Sequence, residues 1–168
     1  MNYNNDFKNA KNIALKFLAY SPKSQKALED KLKNKGFDKD IIDKVLDNLK
    51  EFGFVDDKVF AVQWARANIK NKLWGRNRVK SGLIEKGISK EIIEGAIKEI
   101  EQEISSEEVI KKAFEKWLKR QGQGARVRDK EKIKARAFRH LITKGFQPFL
   151  INQTLNKYYK DSEEFIDE

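Results

Sequence analysis

The chain has 168 residues, 36 basic and 26 acidic, a net charge of +10, 39% hydrophobic residues and no cysteine. A chain of this length can bury about 70% of its unfolded surface without covalent staples, and the missing thiols exclude disulfides, cysteine-ligated zinc and a cysteine nucleophile. The single histidine excludes a multi-histidine metal site, no apolar run approaches the ~20 residues that cross a bilayer, and the polar start from Met1 to Asp6 does not read as a secretory leader, so a cytoplasmic protein without membrane contact is expected.

Two prolines and 37% charged residues point to an all-α chain. The first predicted helix spans Ala10 to Ala19, with Ile13, Ala14, Phe17 and Leu18 on one face. A second helix ends at Lys35-Gly36-Phe37, and a third runs from Asp38 to Phe52 and turns at Gly53. The next runs from Asp57 to about Asn71 and carries Phe60, Ala61, Trp64, Ala65 and Asn68 on one face. After a turn at Lys86-Gly87-Ile88, Ser89 is set to cap a further helix. Ser105-Ser106-Glu107-Glu108 has the spelling of a capping box. It opens a helix with Val109, Ile110, Ala113, Phe114, Trp117 and Leu118 facing inward. Gln121 to Gly124 interrupts the pattern and reads as a loop. A third Lys-Gly turn, Lys144-Gly145-Phe146, precedes the last helix, with Pro148 in its first turn. Asp161 to Glu168 is acidic and is expected to fray.

The three Lys-Gly turns are spaced by 51 and 58 residues and share their surroundings. A leucine stands four residues before each glycine: Leu32, Leu83 and Leu141. Apolar pairs follow at five and six residues (Ile41/Ile42, Ile92/Ile93, Leu150/Ile151), and further positions agree except at Thr154. Glycine can take the left-handed conformation that ends a helix in a Schellman cap, in which the leucine meets the residue after the glycine. Such a pattern predicts three tandem three-helix, helix-turn-helix-like repeats, at residues 1–54, 55–104 and 105–160, with an acidic tail at 161–168. Repeats joined this tightly are expected to stack into an elongated curved array.

The charge is unevenly spread. Residues 1–54 hold 11 basic and 8 acidic residues in alternation, an ordinary solvated surface. From Lys58 to Ile84 there are seven basic residues and no acid. Arg66, Lys70, Lys72, Arg76, Arg78 and Lys80 in this stretch are candidates for a phosphate-tracking face. Like charges four residues apart on a helix repel, so an array built only for stability would intersperse acids. Lys111 to Lys144 is basic more strongly still; its candidates are Lys112, Lys116, Arg120, Arg126, Arg128, Lys132, Arg136 and Arg139. Arg128, Lys132, Arg136 and Arg139 fall on one stripe of one helix, apart from a stripe of Ile133, Ala137 and Leu141 expected to be buried. Such a surface gives polyanion binding without sequence specificity.

Other residues read structurally. Trp64 and Trp117 lie on apolar faces and are expected in the core. Trp74, beside Lys72 and Arg76, could stack on a base but is read first as a core anchor. Adjacent Asp56 and Asp57 at a helix start fit a cap better than a metal pair. His140 has no acid–base partner in sequence. With no phosphate-binding loop, dinucleotide fingerprint or plausible triad, no enzyme, no metal and no cofactor are expected.

The ordered set Phe54-Val55-Asp56-Asp57, Phe60-Ala61, Gly75-Arg76-Asn77-Arg78-Val79, Leu83 and Lys86-Gly87-Ile88, preceded by Leu18 to Leu28 with Lys23-Ser24, resembles the RecX family, bacterial regulators of the RecA recombinase. The resemblance runs from about Ala10 to Tyr159. It departs at Lys23, where the family often has arginine, and at Ala27, where it often has glutamate; the third repeat matches by pattern. The resemblance implies a tandem three-helix fold and a regulator of recombination and DNA repair within the SOS response. Such a protein binds along the groove of the RecA–DNA filament and inhibits ATP hydrolysis and strand exchange. The expected partners are the RecA filament and, weakly and without sequence preference, single- and double-stranded DNA; a monomer is expected. The residues alone leave open a direct nucleic-acid-binding module and a protein-binding helical scaffold.

Overall fold

The computed structural model describes residues 3–121 and 130–164. All regular structure among them is helical: α1 (Tyr3–Tyr20), α2 (Gln25–Lys33), α3 (Lys39–Glu51), α4 (Asp57–Lys72), α5 (Arg76–Glu85), α6 (Lys90–Glu103), α7 (Ser106–Arg120), α8 (Lys130–Thr143) and α9 (Pro148–Glu164). α1 begins well before the predicted Ala10, and α9 continues to Glu164, into the stretch expected to fray. The loop expected after Gln121 lies outside the described residues, and so do Arg126 and Arg128.

The lysine-glycine turns are Schellman caps. Gly36, Gly87 and Gly145 have φ of 83°, 77° and 87°. The amide after each glycine donates to the carbonyl of the predicted leucine: Phe37 to Leu32 at 3.3 Å, Ile88 to Leu83 at 3.1 Å and Phe146 to Leu141 at 3.1 Å. All three leucines have 0% exposure; burying a leucine side chain stabilises by about 1.5–3 kcal/mol. Gly53 closes α3 in the same way, with φ 71° and a 2.8 Å bond from the Phe54 amide to the Leu49 carbonyl. It carries the same leucine and apolar neighbours, but Phe52 stands where the other turns have lysine.

The helix starts are more varied. Ser24 caps α2 through the Ala27 amide, and Ser105 caps α7 through the Glu108 amide, each at 3.3 Å. The Ser89 hydroxyl accepts from the Ile92 amide at 3.4 Å. Asp38 occupies the cap position of α3, but its side chain accepts no capping hydrogen bond. The adjacent aspartates divide their work. Asp56 accepts from the Lys58 and Val59 amides at 2.7 and 3.1 Å, capping α4. Asp57 instead accepts from the Gln25 amide at 2.8 Å, satisfying the first N–H of α2 from another helix.

The chain divides into two compact units, Met1–Trp64 with Leu83–Ala96, and Ala65–Gly82 with Ile97–Glu168. The cuts fall inside α4, α5 and α6. In the first unit α1, α2 and α3 pack on one another around Ala10, Ala14, Leu28, Leu32, Val45 and Leu49. In the second, α7, α8 and α9 pack mutually around Ile110, Phe114, Ile133, Ala137, Leu141, Ile151 and Leu155. Trp117 is half-buried at the edge of this core, with its ring 6.2 Å from that of Phe114. Trp64 is likewise half-buried, under the Lys86 ammonium at 5.4 Å.

Each unit contains one docking of a glycine turn onto the start of an earlier helix. In the first, the Gly87 turn lies on α2: a Cβ at Gly87 would stand 2.6 Å from Lys26 Cδ, and the Lys26 ammonium donates to the Glu85 carbonyl at 3.4 Å. In the second, the Gly145 turn lies on the start of α5. That second docking positions the basic side chains.

Candidate nucleic-acid interface

Gly75 immediately precedes α5, where the first helical amides lack partners within the helix. The Lys144-Gly145 turn supplies them: the Gly75 amide donates to the Lys144 carbonyl at 2.7 Å and the Asn77 amide to the Gly145 carbonyl at 3.0 Å. A side chain would prevent this approach, since a Cβ at Gly75 would lie 2.5 Å from the Gly145 carbonyl carbon.

Two cations complete the joint by crossing over it. The Arg78 guanidinium donates to the Thr143 carbonyl at 2.8 Å, at the C-terminal end of α8. The Lys144 ammonium donates to the Lys72 carbonyl at 2.9 Å, at the C-terminal end of α4. Cations are favoured there by the helix dipole and the unpaired carbonyls. Trp74, half-buried, holds Lys72 and Arg78 over its ring at 4.7 and 4.5 Å. It organises cations; its ring already has two charged neighbours, which argues against the base-stacking role weighed for it.

More positive charge converges on this joint. Burial, then Arg78, Lys116 and Arg120, push the Lys144 ammonium below the usual lysine range. Lys116 and Arg120 are exposed on α7. Next to them, the His140 ring stacks on Trp117 with centroids 5.9 Å apart and planes at 25°. Burial, then Lys144 and Arg120, hold His140 below the ordinary histidine value. A lysine made less basic by burial, and further by three other cations, is a place where a bound anion relieves repulsion.

The other predicted candidates sort by position. Lys132, Arg136 and Arg139 are exposed on α8 while Ile133, Ala137 and Leu141 are buried, so the two stripes separate as expected. Arg136 donates to the Gln121 side chain at 3.1 Å. Lys70, Lys72 and Lys112 are exposed and Lys80 is half-exposed. Arg66 and Arg76 are engaged by carboxylates. Arg66 makes a forked pair with Glu103 at 2.7 and 3.0 Å and lies 3.8 Å from Glu99; Arg76 pairs with Glu101 at 2.8 Å. The Arg66 hydrogen bond is the main cause that holds the Glu103 carboxyl below its ordinary value. The absence of acids between Lys58 and Ile84 therefore overstated the free charge of that stretch, because α6 supplies the acids in space. Lys144 and His140 were not among the site candidates: Lys144 was read as part of a cap, and only the docking of that cap on Gly75 gives it charged neighbours.

Among the described residues, no cluster of three or more histidine, cysteine or acidic side chains could hold a metal ion. No described helix is long and apolar enough to cross a membrane. The cavity lined by Trp74, Gly75, Val79, Ile97, Ile100 and Phe146 has a volume of about 30 Å³, room for little more than a water molecule.

Helices closed by Schellman turns, with cations crossed over the joint of α5 and the turn after α8, define an all-helical protein. Family models for the first and second three-helix domains of RecX match residues 10–49 and 56–97. The regulatory protein RecX of Clostridioides difficile (strain 630) is 35% identical over 151 residues, 88% of this chain and 67% of that one. Its counterpart in Clostridium perfringens (strain 13 / Type A) is 32% identical, over 84% of this chain and 64% of that one. The crystal structure of RecX from Lactobacillus salivarius superposes with a TM-score of 0.79 at 24% identity, covering 91% of this chain and 96% of that one; at that identity it speaks for the fold. The chain belongs to the RecX family of regulatory proteins, and it spans about two thirds of the length of these curated relatives.

Proposed function

We propose that this protein is a non-enzymatic regulator of homologous recombination that binds the RecA–DNA filament and inhibits RecA ATP hydrolysis and strand exchange. Membership of the RecX family points to the recombinase, and the convergence of Arg78, Lys116 and Arg120 on Lys144 carries the reading that part of the contact is to DNA phosphate. Phosphate contacts of this kind are largely insensitive to sequence and weaken with salt, which suits a filament that forms on any DNA. Lys132, Arg136 and Arg139 extend the contact along α8, with Lys70, Lys72, Lys80 and Lys112 at its margin. Arg66 and Arg76 serve to hold α4 and α5 to α6. The protein works as a monomer in the cytoplasm, by occupancy rather than chemistry. Titrating the chain into a RecA ATPase assay on single-stranded DNA tests this: hydrolysis should fall to a low plateau, and an unchanged rate at saturating protein would contradict it.

A further inference from the structure

The three lysine-glycine turns close α2, α5 and α8, and two of them are covered by the start of another helix in the same way. At Gly87 the cover is α2: a Cβ there would stand 2.7 Å from Lys26 Cβ, and the Lys26 ammonium donates to the Glu85 carbonyl at 3.4 Å. At Gly145 the cover is α5: a Cβ there would stand 2.5 Å from Arg78 Cβ, and the Arg78 guanidinium donates to the Thr143 carbonyl at 2.8 Å. In both, a basic residue in the first turn of the covering helix reaches the carbonyl two residues before the glycine. In both, the apolar residue after the glycine is sealed, with Ile88 5% and Phe146 3% exposed.

The Gly36 turn has the same backbone and no cover. Its φ is 83° and its Phe37 amide donates to the Leu32 carbonyl, yet a Cβ on Gly36 would meet nothing within 4 Å among the described residues. Phe37, the counterpart of Ile88 and Phe146, is only half-buried, and Asn34, the counterpart of Glu85 and Thr143, is exposed. Lys33 is no obstacle, because its counterparts Ile84 and Ile142 stay 64% and 40% exposed beside the covered turns. The Gly53 turn is open too, but it closes α3, outside the series of α2, α5 and α8, and has no covered counterpart.

We infer that the Gly36 turn is a docking surface for the start of a helix in a partner protein, one with a small residue just ahead of it and lysine or arginine in its first turn. Ser24 and Gly75 are the small residues ahead of the two covering helices. The charges are complementary: the last carbonyls of α2 are the negative end of a helix dipole, and the partner brings the positive end of its own together with a cation. Docking seals Phe37 as Ile88 and Phe146 are sealed. A second copy of this chain does not fit, since its α2 and α5 starts are already covered. Its α8 is already helical at Lys130, fifteen residues ahead of Gly145, whereas α2 and α5 begin eleven residues ahead of their glycines. The inference goes beyond the filament reading and does not depend on it.

The probe is a synthetic peptide copying residues 73–86, α5 with its Gly75, held helical by a hydrocarbon staple between the exposed positions of Ser81 and Glu85. Added to the isotope-labelled full chain, it should shift the amide resonances of Lys33 to Phe37 and bind with a Kd below ~1 mM. Arg78→Ala in the peptide should weaken binding at least about fivefold, and Gly75→Val should abolish it. Gly36→Asn in the chain keeps a residue that tolerates the left-handed backbone and adds the Cβ that the covered turns exclude. That variant should retain its helical circular dichroism and bind at least about tenfold more weakly, while Gly53→Asn binds as wild type does. No shift at ~1 mM peptide, shifts centred away from the Gly36 turn, equal binding by the Gly36→Asn chain, or equal binding of the Gly75→Val peptide would each overturn the inference. The peptide variants are read on the wild-type chain, so they decide the matter even if Gly36→Asn fails to fold. Self-association of the chain in sedimentation, lost in Gly36→Asn, would overturn it too, by making a second copy the occupant.

Discussion

The backbones of Gly75 and Gly145 meet so closely that a side chain on either would overlap its neighbour: a Cβ at Gly75 would stand 2.5 Å from the Gly145 carbonyl carbon, and one at Gly145 2.3 Å from the Arg78 amide nitrogen. A glycine before α5 and a left-handed glycine after α8 let two helix ends satisfy each other's backbone groups. The same contact places Arg78 and Lys144 across the joint.

Gly145→Ala should therefore cost more than Gly36→Ala. Both glycines have positive φ, but a Cβ at Gly36 meets nothing within 4 Å. The Gly36 change should cost about 1 kcal/mol for the left-handed backbone. The Gly145 change adds a backbone clash and should cost at least ~2 kcal/mol. Urea unfolding of the two variants checks the order; equal losses would mean that the joint yields without cost.

Asp57→Ala should destabilise by about 1 kcal/mol, since it leaves the Gln25 amide without its 2.8 Å acceptor at the start of α2. Asp57→Asn keeps an acceptor oxygen and should lose less. The comparison is read by thermal melting, and an Asp57→Ala variant as stable as wild type would dismiss the cross-helix cap.

Much of this was legible in the sequence because one physical constraint repeats. A Schellman cap needs glycine, a leucine four residues earlier and an apolar residue after, so the turns at Gly36, Gly87 and Gly145 could be placed before any coordinates. The fourth cap, at Gly53, has that spelling too but reads only as a turn, because Phe52 stands where the other three have lysine. The buried stripe of Ile133, Ala137 and Leu141 followed from helical periodicity. What sequence could not give was pairing between distant helices. Glu99, Glu101 and Glu103 neutralise Arg66 and Arg76 from the far end of α6, and Lys144 becomes part of a site only where its turn meets Gly75.

Salt dependence separates the two kinds of arginine. Arg120→Gln should lower the log–log salt slope of DNA binding by roughly one unit, as expected for one lost phosphate contact. Arg66→Gln should leave the slope unchanged, because its guanidinium is held by Glu103 and Glu99. Fluorescence anisotropy over a salt series measures both, and a slope that falls with Arg66 rather than Arg120 would move the interface to α4.

The pH dependence of stability has a defined sign. His140 is held below its ordinary 6.5, chiefly by burial, so the unfolded chain binds more protons at this site than the folded one. Its contribution to stability is complete above the unfolded value and is lost as the pH falls through 6.5 toward the folded value. Glu103 and Glu107, held low, contribute above their ordinary 4.5 and lose it at more acid pH. Between pH 7.5 and 5.5 the chain should lose stability, and His140→Gln should flatten that loss; an equal slope in the variant would place the titrating group elsewhere.

The RecA ATPase on single-stranded DNA, measured with the wild-type chain and with the double variant Lys116→Gln/Arg120→Gln, tests the central claim most directly. Both side chains are exposed on α7, so the variant should keep its helical circular dichroism and melting point. Wild type should inhibit hydrolysis, and the variant should need at least about tenfold more protein for the same inhibition, the equivalent of losing some 1.4 kcal/mol of binding. Equal inhibition by the two proteins would contradict a role for this cationic cluster on the filament.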